Sequence, residues 1–113
     1  MEVFLTEREN NLVVRLKGEF DLHTADYFKA KLKDKLNKSI NNLILNLDSI
    51  KFIDSSGLGA ILSKYKEINK QGGDLVITNV TPQVERIFEL SGILNIIDIY
   101  SSEKEALDNI TGR

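Results

Sequence analysis

Three short apolar runs, LILNL (43–47), LVITNV (75–80) and NIIDIY (95–100), constrain this chain more than any other feature, because helical spacing fills the gaps between them. Strands separated by helices must run parallel, joined by right-handed crossovers. Ahead of them, Val3 and Leu5, then Leu12, Val14 and Leu16, alternate with polar residues on either side of RENN, which predicts a β-hairpin with one buried face. The predicted order is ββαβαβαβα. It makes a mixed, mostly parallel sheet with an opening antiparallel pair and flanking helices, an α/β fold.

The helices announce themselves by stripe and by cap. Ala25, Phe28, Leu32 and Leu36 share one face, with Thr24 as the expected cap and Asp26 in the first turn. Leu58, Ile61, Leu62, Tyr65 and Ile68 form a second stripe, closed by QGGD. Thr81 and Pro82 start a third helix that packs Val84, Ile87 and Phe88 and stops at Gly92. Ser102 and Glu105 have capping-box spacing for a last helix carrying Ala106, Leu107 and Ile110.

With 113 residues and no linker or repeat, one domain over 1–113 is expected. Hydrophobic and charged fractions of 42% and 28% are those of an ordinary globule. A net charge of −2 supplies no basic field for nucleic acid or an anionic membrane. MEVFLTERE carries neither a basic leader nor a long apolar run, so the expected compartment is the cytoplasm. The absence of cysteine removes thiolate and Cys-based zinc chemistry, and the single histidine, His23, leaves no His cluster for a metal. No cofactor is expected.

The chemistry concentrates in SIKFIDSSGLGAIL (49–62), where a strand hands over to a helix. A hydrolase elbow needs G-x-S-x-G, but Ile53 precedes Ser55 by two and Asp54 precedes Ser56 by two. A triad would have to recruit His23 and Asp21; His23 reads more simply as a helix-start residue. GLGAIL holds two of the three glycines of a dinucleotide fingerprint, with Leu62 where the third belongs, although a helix start still attracts anions. Asp48 after LILNL could suggest a phosphoacceptor, but no acidic pair accompanies it, and it reads as a turn residue. The lysines of KAKLKDKLNK (29–38), and Glu85, Arg86 and Glu89, read as solvated faces.

Asp54 is a good N-cap, which leaves Ser55 and Ser56 at the first helical positions. Gly57 and Gly59 each cost roughly 1 kcal/mol in a helix interior. Either something approaches this backbone closely, or a capped helix needs small residues to pack on its sheet. At 100° per residue, Ser55 lies roughly 60° from Leu58 and Ser56 roughly 160° away, so a helical wheel makes Ser56 the more exposed hydroxyl.

At these residues the sequence resembles the STAS family, and within it the bacterial anti-sigma factor antagonists. GEFDLHTA (18–25), LILNLDSIKFIDSSGLGAIL (43–62), GGDLVI (72–77) and TPQVERIFELSGIL (81–94) fall in family order. KYKEI and the third-helix segment look closest to the sporulation branch; Leu22 is a departure, where close relatives often carry a second histidine. The resemblance implies a STAS-like fold and a partner switch with no catalysis of its own. The partner is a small ATP-bound anti-sigma factor serine kinase, whose sigma factor is freed when the antagonist binds. That kinase phosphorylates the serine directly after the aspartate, here Ser55 with Ser56 as rival, and a serine phosphatase restores it. The implied contact surface is Asp21, His23, Thr24, Asp54, Ser55, Ser56, Gly57, Leu58 and Gly59, with Asp21 able to bond the Ser55 hydroxyl or a basic partner group; the plainer reading of Asp21 is a cap or turn residue for the helix at Thr24. A stress-response pathway in place of sporulation, and more remotely a small serine hydrolase, are the alternatives.

Overall fold

The structure, a computed structural model, describes residues 1–36 and 39–111. Strands β1 (Glu2–Arg8) and β2 (Asn11–Phe20) lead into α1 (Leu22–Leu32), followed by β3 (Asn42–Ile53), α2 (Ser55–Lys70) and β4 (Leu75–Thr78). The chain ends in α3 (Pro82–Ser91), a 3-10 turn (Ile93–Asn95), β5 (Ile99–Tyr100) and α4 (Glu103–Thr111). The order is the one the sequence predicts.

The sheet runs β1-β2-β3-β4-β5, with β1 antiparallel to β2 and every later pair parallel. Because each crossover steps one place in the same direction, crossovers of one hand put α1, α2 and α3 on a single face. There the row Val14, Leu45, Ile77 and Ile99 packs with Phe28, Ile61, Val84 and Phe88. The opposite face carries Val13, Ile44 and Val76, covered by Ala106 and Ile110 of α4. β2 is therefore buried on both faces over Asn11–Val14, where one buried face was expected. Since the strand order never reverses, the sheet has no switch-point crevice for a ligand.

Several boundaries differ from expectation for local reasons. Thr24 does not cap α1: Asp21 does, and Thr24 is its partner at the third position of a capping box. Asp26 lies beyond the first turn, which holds no acid, and α1 ends at Leu32, so Leu36 packs on the core from outside the helix. The strand expected over 43–47 runs on to Ile53, and Asp48 lies inside it rather than in a turn. β3 carries one more residue than β2 between the pairs Arg15–Asn46 and Lys17–Ser49, and again between Gly18–Ile50 and Glu19–Phe52. Such bulges bend a strand and leave polar residues unpaired, which from sequence looks like a turn.

Asn79, with a left-handed φ of 57°, ends β4 at Thr78. Only Ile99 and Tyr100 of NIIDIY form strand. Gly92, at φ 81°, closes α3 and feeds the 3-10 turn, which sends Ile93 and Ile97 into the core. On α4, Ser102 accepts the Glu105 amide at 3.1 Å, but the Glu105 carboxylate reaches back to the Ser101 amide, so the box closes one residue early. α4 is clamped to the sheet by Glu103, which accepts from Arg15 at 2.7 and 2.8 Å and from Asn46 at 2.7 Å. The Arg15 hydrogen bond is the main reason the Glu103 carboxyl titrates below its ordinary value. Lys29, Lys31, Lys33 and Lys35 are exposed, as are Glu85, Arg86 and Glu89; Lys38 lies outside the described residues.

Candidate functional site, a pair of capped helix starts

The C-terminal ends of β2 and β3 lie side by side, and each turns into a helix through an aspartate in extended conformation. Asp21 Oδ1 accepts from the amides of His23 (2.9 Å) and Thr24 (3.1 Å). The Thr24 hydroxyl accepts the Asp21 amide at 2.9 Å and donates to the Glu19 carbonyl at 2.9 Å. Asp54 Oδ1 accepts from the amides of Ser56 (2.9 Å) and Gly57 (3.0 Å).

The two turns are fastened together. The Asp54 amide donates to the Phe20 carbonyl at 3.1 Å. A Cβ placed on Gly57 would stand 2.3 Å from that same carbonyl oxygen and 2.8 Å from Ile53 Cγ1, so glycine is required here for close approach of helix to strand end. Gly59 is different: it is exposed, and a Cβ there would meet nothing within 4 Å. Of the two sequence readings, packing on the protein's own sheet accounts for Gly57, and Gly59 is left facing solvent.

Ser55 is exposed and Ser56 half-buried, the reverse of the wheel expectation. The buried residues of α2 are Gly57, Ala60, Ile61, Lys64 and Ile68. Ser55 lies about 160° from the centre of that face and Ser56 about 100° at 100° per residue. Leu58 misled the wheel because it is only half-buried, on the flank of the stripe, as are Leu62 and Tyr65. His23 and Leu22 are exposed on the neighbouring helix start, Leu22 at 68%.

No hydrogen bond among the described residues joins Asp21 to Ser55; Oδ1 of Asp21 serves its own helix start instead. Nor does any join His23 to either serine. Two of the amides at the start of α2 that an oxyanion or a phosphate would use, those of Ser56 and Gly57, are already held by the Asp54 carboxylate, a fixed negative charge. The arrangement therefore opposes both the hydrolase and the nucleotide readings. Ser55 is exposed and is not among the residues that line the main surface hollows, the kind of place where catalytic sites are built. No group of three or more acidic or histidine side chains among the described residues could hold a metal ion, and no helix is long and apolar enough to cross a membrane.

Sheet order, capped helix starts and the DSSGLG turn together define a class, and residues 3–106 match the STAS domain: the chain belongs to the STAS-domain family. Within it, the chain is 35% identical over 111 residues to an anti-sigma F factor antagonist from Paenibacillus polymyxa, covering 97% of this chain and 95% of that one. It superposes on protein TM1081 from Thermotoga maritima with a TM-score of 0.90 and 26% identity, over 96% of this chain and 94% of the other. It superposes on the phosphorylated form of the Bacillus cell fate determinant SpoIIAA with a TM-score of 0.74 and 27% identity, over 96% and 99%.

The sequence reading missed one part of the site's support, the Phe20 carbonyl against Gly57, which joins residues 37 apart and leaves no local signal beyond an unexplained glycine. The plainer reading of Asp21, a cap for the helix at Thr24, is the one the structure shows.

Proposed function

We propose that this chain, acting as one unit over residues 1–113, is a cytoplasmic anti-sigma factor antagonist switched by phosphorylation of Ser55. The observation that carries the proposal is the exposed Ser55 residue at the first position of α2, with the amides of Ser56 and Gly57 already engaged by Asp54. Among the described residues its hydroxyl has no hydrogen-bonded base, and the Ser56 and Gly57 amides beside it are taken by Asp54. It is suited to be the substrate of an enzyme that docks over it, an ATP-bound anti-sigma factor serine kinase. The chain is then not an enzyme: nucleotide, magnesium and base belong to the kinase, and a serine phosphatase reverses the step.

Phosphate adds about −1.5 to −2 charges. A helix N-terminus stabilises such charge by about 0.3–1 kcal/mol when its amides are free. Here Asp54 holds them, so the phosphate faces outward into the interface instead of being captured by its own domain. The likeness to the phosphorylated form of SpoIIAA supports a switch without refolding, since one fold serves both. Asp21, His23, Thr24, Asp54, Ser56, Leu58 and Gly59 form the kinase-facing surface around Ser55, the exposed Gly59 allowing close backbone approach. Gly57 is buried against the end of β2 and drops out of the expected surface. Unphosphorylated, the chain holds the kinase and its sigma factor goes free; a stress-response sigma factor would be freed by the same device.

The experiment is incubation with the cognate kinase and ATP. One phosphate per chain is expected, located on Ser55 by mass spectrometry and lost in Ser55→Ala with kinase binding retained. Full labelling of Ser55→Ala would move the site to Ser56, and absence of labelling with either serine present would refute the proposal.

A further inference from the structure

We infer that the free edge of β1 is a docking surface for a second copy of this chain, paired antiparallel about Leu5. β1 is the outermost strand of the sheet, and its seven residues pair with β2 in one unbroken register from Glu2–Lys17 to Arg8–Asn11. It has neither proline nor bulge, two of the devices that close an edge, and its charged residues are Glu2, Glu7 and Arg8. Both of its faces carry apolar surface that stops at the edge. Val3 and Leu5 are half-buried and pack on the core under α1 and α2. Phe4, on the α4 side beside Arg15 of β2, is 50% exposed.

The charges of β1 select both occupant and register. In an isologous antiparallel pair, directly opposed residues must have the same parity, because a one-residue slip turns every side chain to the other face. Centred on Leu5, the register places Glu2 opposite the second copy's Arg8, twice, Val3 opposite Glu7, Phe4 opposite Thr6, and Leu5 opposite itself. Glu2 already faces Lys17 across β2, so charges alternate along the continued row. The two Phe4 side chains become diagonal neighbours on one face, within aromatic reach. Centred on Phe4, Arg8 loses its acidic partner; centred on Thr6, Phe4 faces Arg8 and Leu5 faces Glu7. Of the three registers, only the one centred on Leu5 sets Glu2 against Arg8.

The product is a continuous sheet of ten strands, five from each copy. The two-fold axis points the C-terminal ends of the parallel strands in opposite directions, so the two Ser55 turns lie at far ends and remain accessible. The inference does not depend on the phosphorylation switch.

The chain has no cysteine, which makes the register directly testable on the full chain. In this register the two Leu5 Cα atoms are about 4.5 or 5.5 Å apart, inside the disulfide range. The two Val3 Cα atoms are about 14 Å apart, four residues of rise, beyond any disulfide. Leu5→Cys is expected to give a disulfide dimer under mild oxidation, and Val3→Cys is not. In sedimentation equilibrium, Arg8→Glu is expected to weaken dimerisation at least tenfold, and adding Glu2→Arg to restore it to within about threefold. All four residues are at least partly exposed, so the fold is expected to survive, with circular dichroism as the check. A chain that stays monomeric to about 1 mM, equal cross-linking of both cysteine variants, or a dimer indifferent to the charge reversals would overturn the inference.

Discussion

Gly57→Ala tests the joint that fixes the Ser55 turn. The added methyl would lie 2.3 Å from the Phe20 carbonyl oxygen and 2.8 Å from Ile53 Cγ1. Neither neighbour can retreat cheaply: Ile53 is 1% exposed in the core, and the carbonyl is a backbone atom that accepts the Asp54 amide at 3.1 Å. Overpacking of this kind costs about 1–3 kcal/mol, and loosening the Asp54 bond about 1 more. Replacing glycine by alanine in a helix returns about 1 kcal/mol. The net expectation is a loss of about 1–3 kcal/mol, which lowers a urea midpoint by about 1 M at the slopes usual for small domains. Gly59→Ala is the internal control, because the same methyl meets nothing within 4 Å and only the helix gain remains. It is expected to stabilise by about 0.4–1 kcal/mol. Equilibrium urea unfolding of the two variants beside the parent decides the matter. If Gly57→Ala were as stable as the parent, or Gly59→Ala the worse of the two, the close approach of α2 to the end of β2 would be wrong.

Other consequences follow from the caps and the clamp. Asp54→Ala removes the acceptor of two amides and is expected to cost about 1–2 kcal/mol in the same urea assay. Because the Arg15 hydrogen bond holds the Glu103 carboxyl below its ordinary value, its contribution to stability is present at neutral pH. It is lost as pH falls from the usual glutamate pKa of about 4.3 through the lower folded-state value. Glu103→Gln is expected to flatten that acid limb of the midpoint against pH; an unchanged limb would dismiss the clamp. Ser55→Asp is expected to retain parental stability while weakening kinase binding only in part, since it adds about one charge where phosphate adds about two.

How much of this was legible depended on range along the chain. Stripes and turn signals are local, so the order of strands and helices, the Asp54 and Thr81 caps and the Gly92 stop were all readable from neighbouring residues. DLHT offered two capping residues three positions apart, and periodicity alone does not say which stands outside the helix; both turned out to be halves of one box. Asp48 and the 95–100 run failed for a shared reason. A bulge makes part of a strand look like a turn, and apolar residues around a 3-10 turn look like a strand. The exposure of Ser55 was misread because a wheel centred on Leu58 ignored Gly57, Ala60 and Lys64, small or polar residues that are nonetheless buried. The Arg15–Glu103 pair spans 88 positions, and nothing local foretells it.

The account turns on whether the charge at Ser55 decides occupancy of the kinase. Titration calorimetry of the ATP-bound kinase with the unmodified chain, and with the same chain fully phosphorylated on Ser55, measures this directly. Unfavourable charge in a desolvated interface costs several kcal/mol, so the modified form is expected to bind at least about 100-fold more weakly, with its fold unchanged. Equal affinity of the two forms would contradict the account.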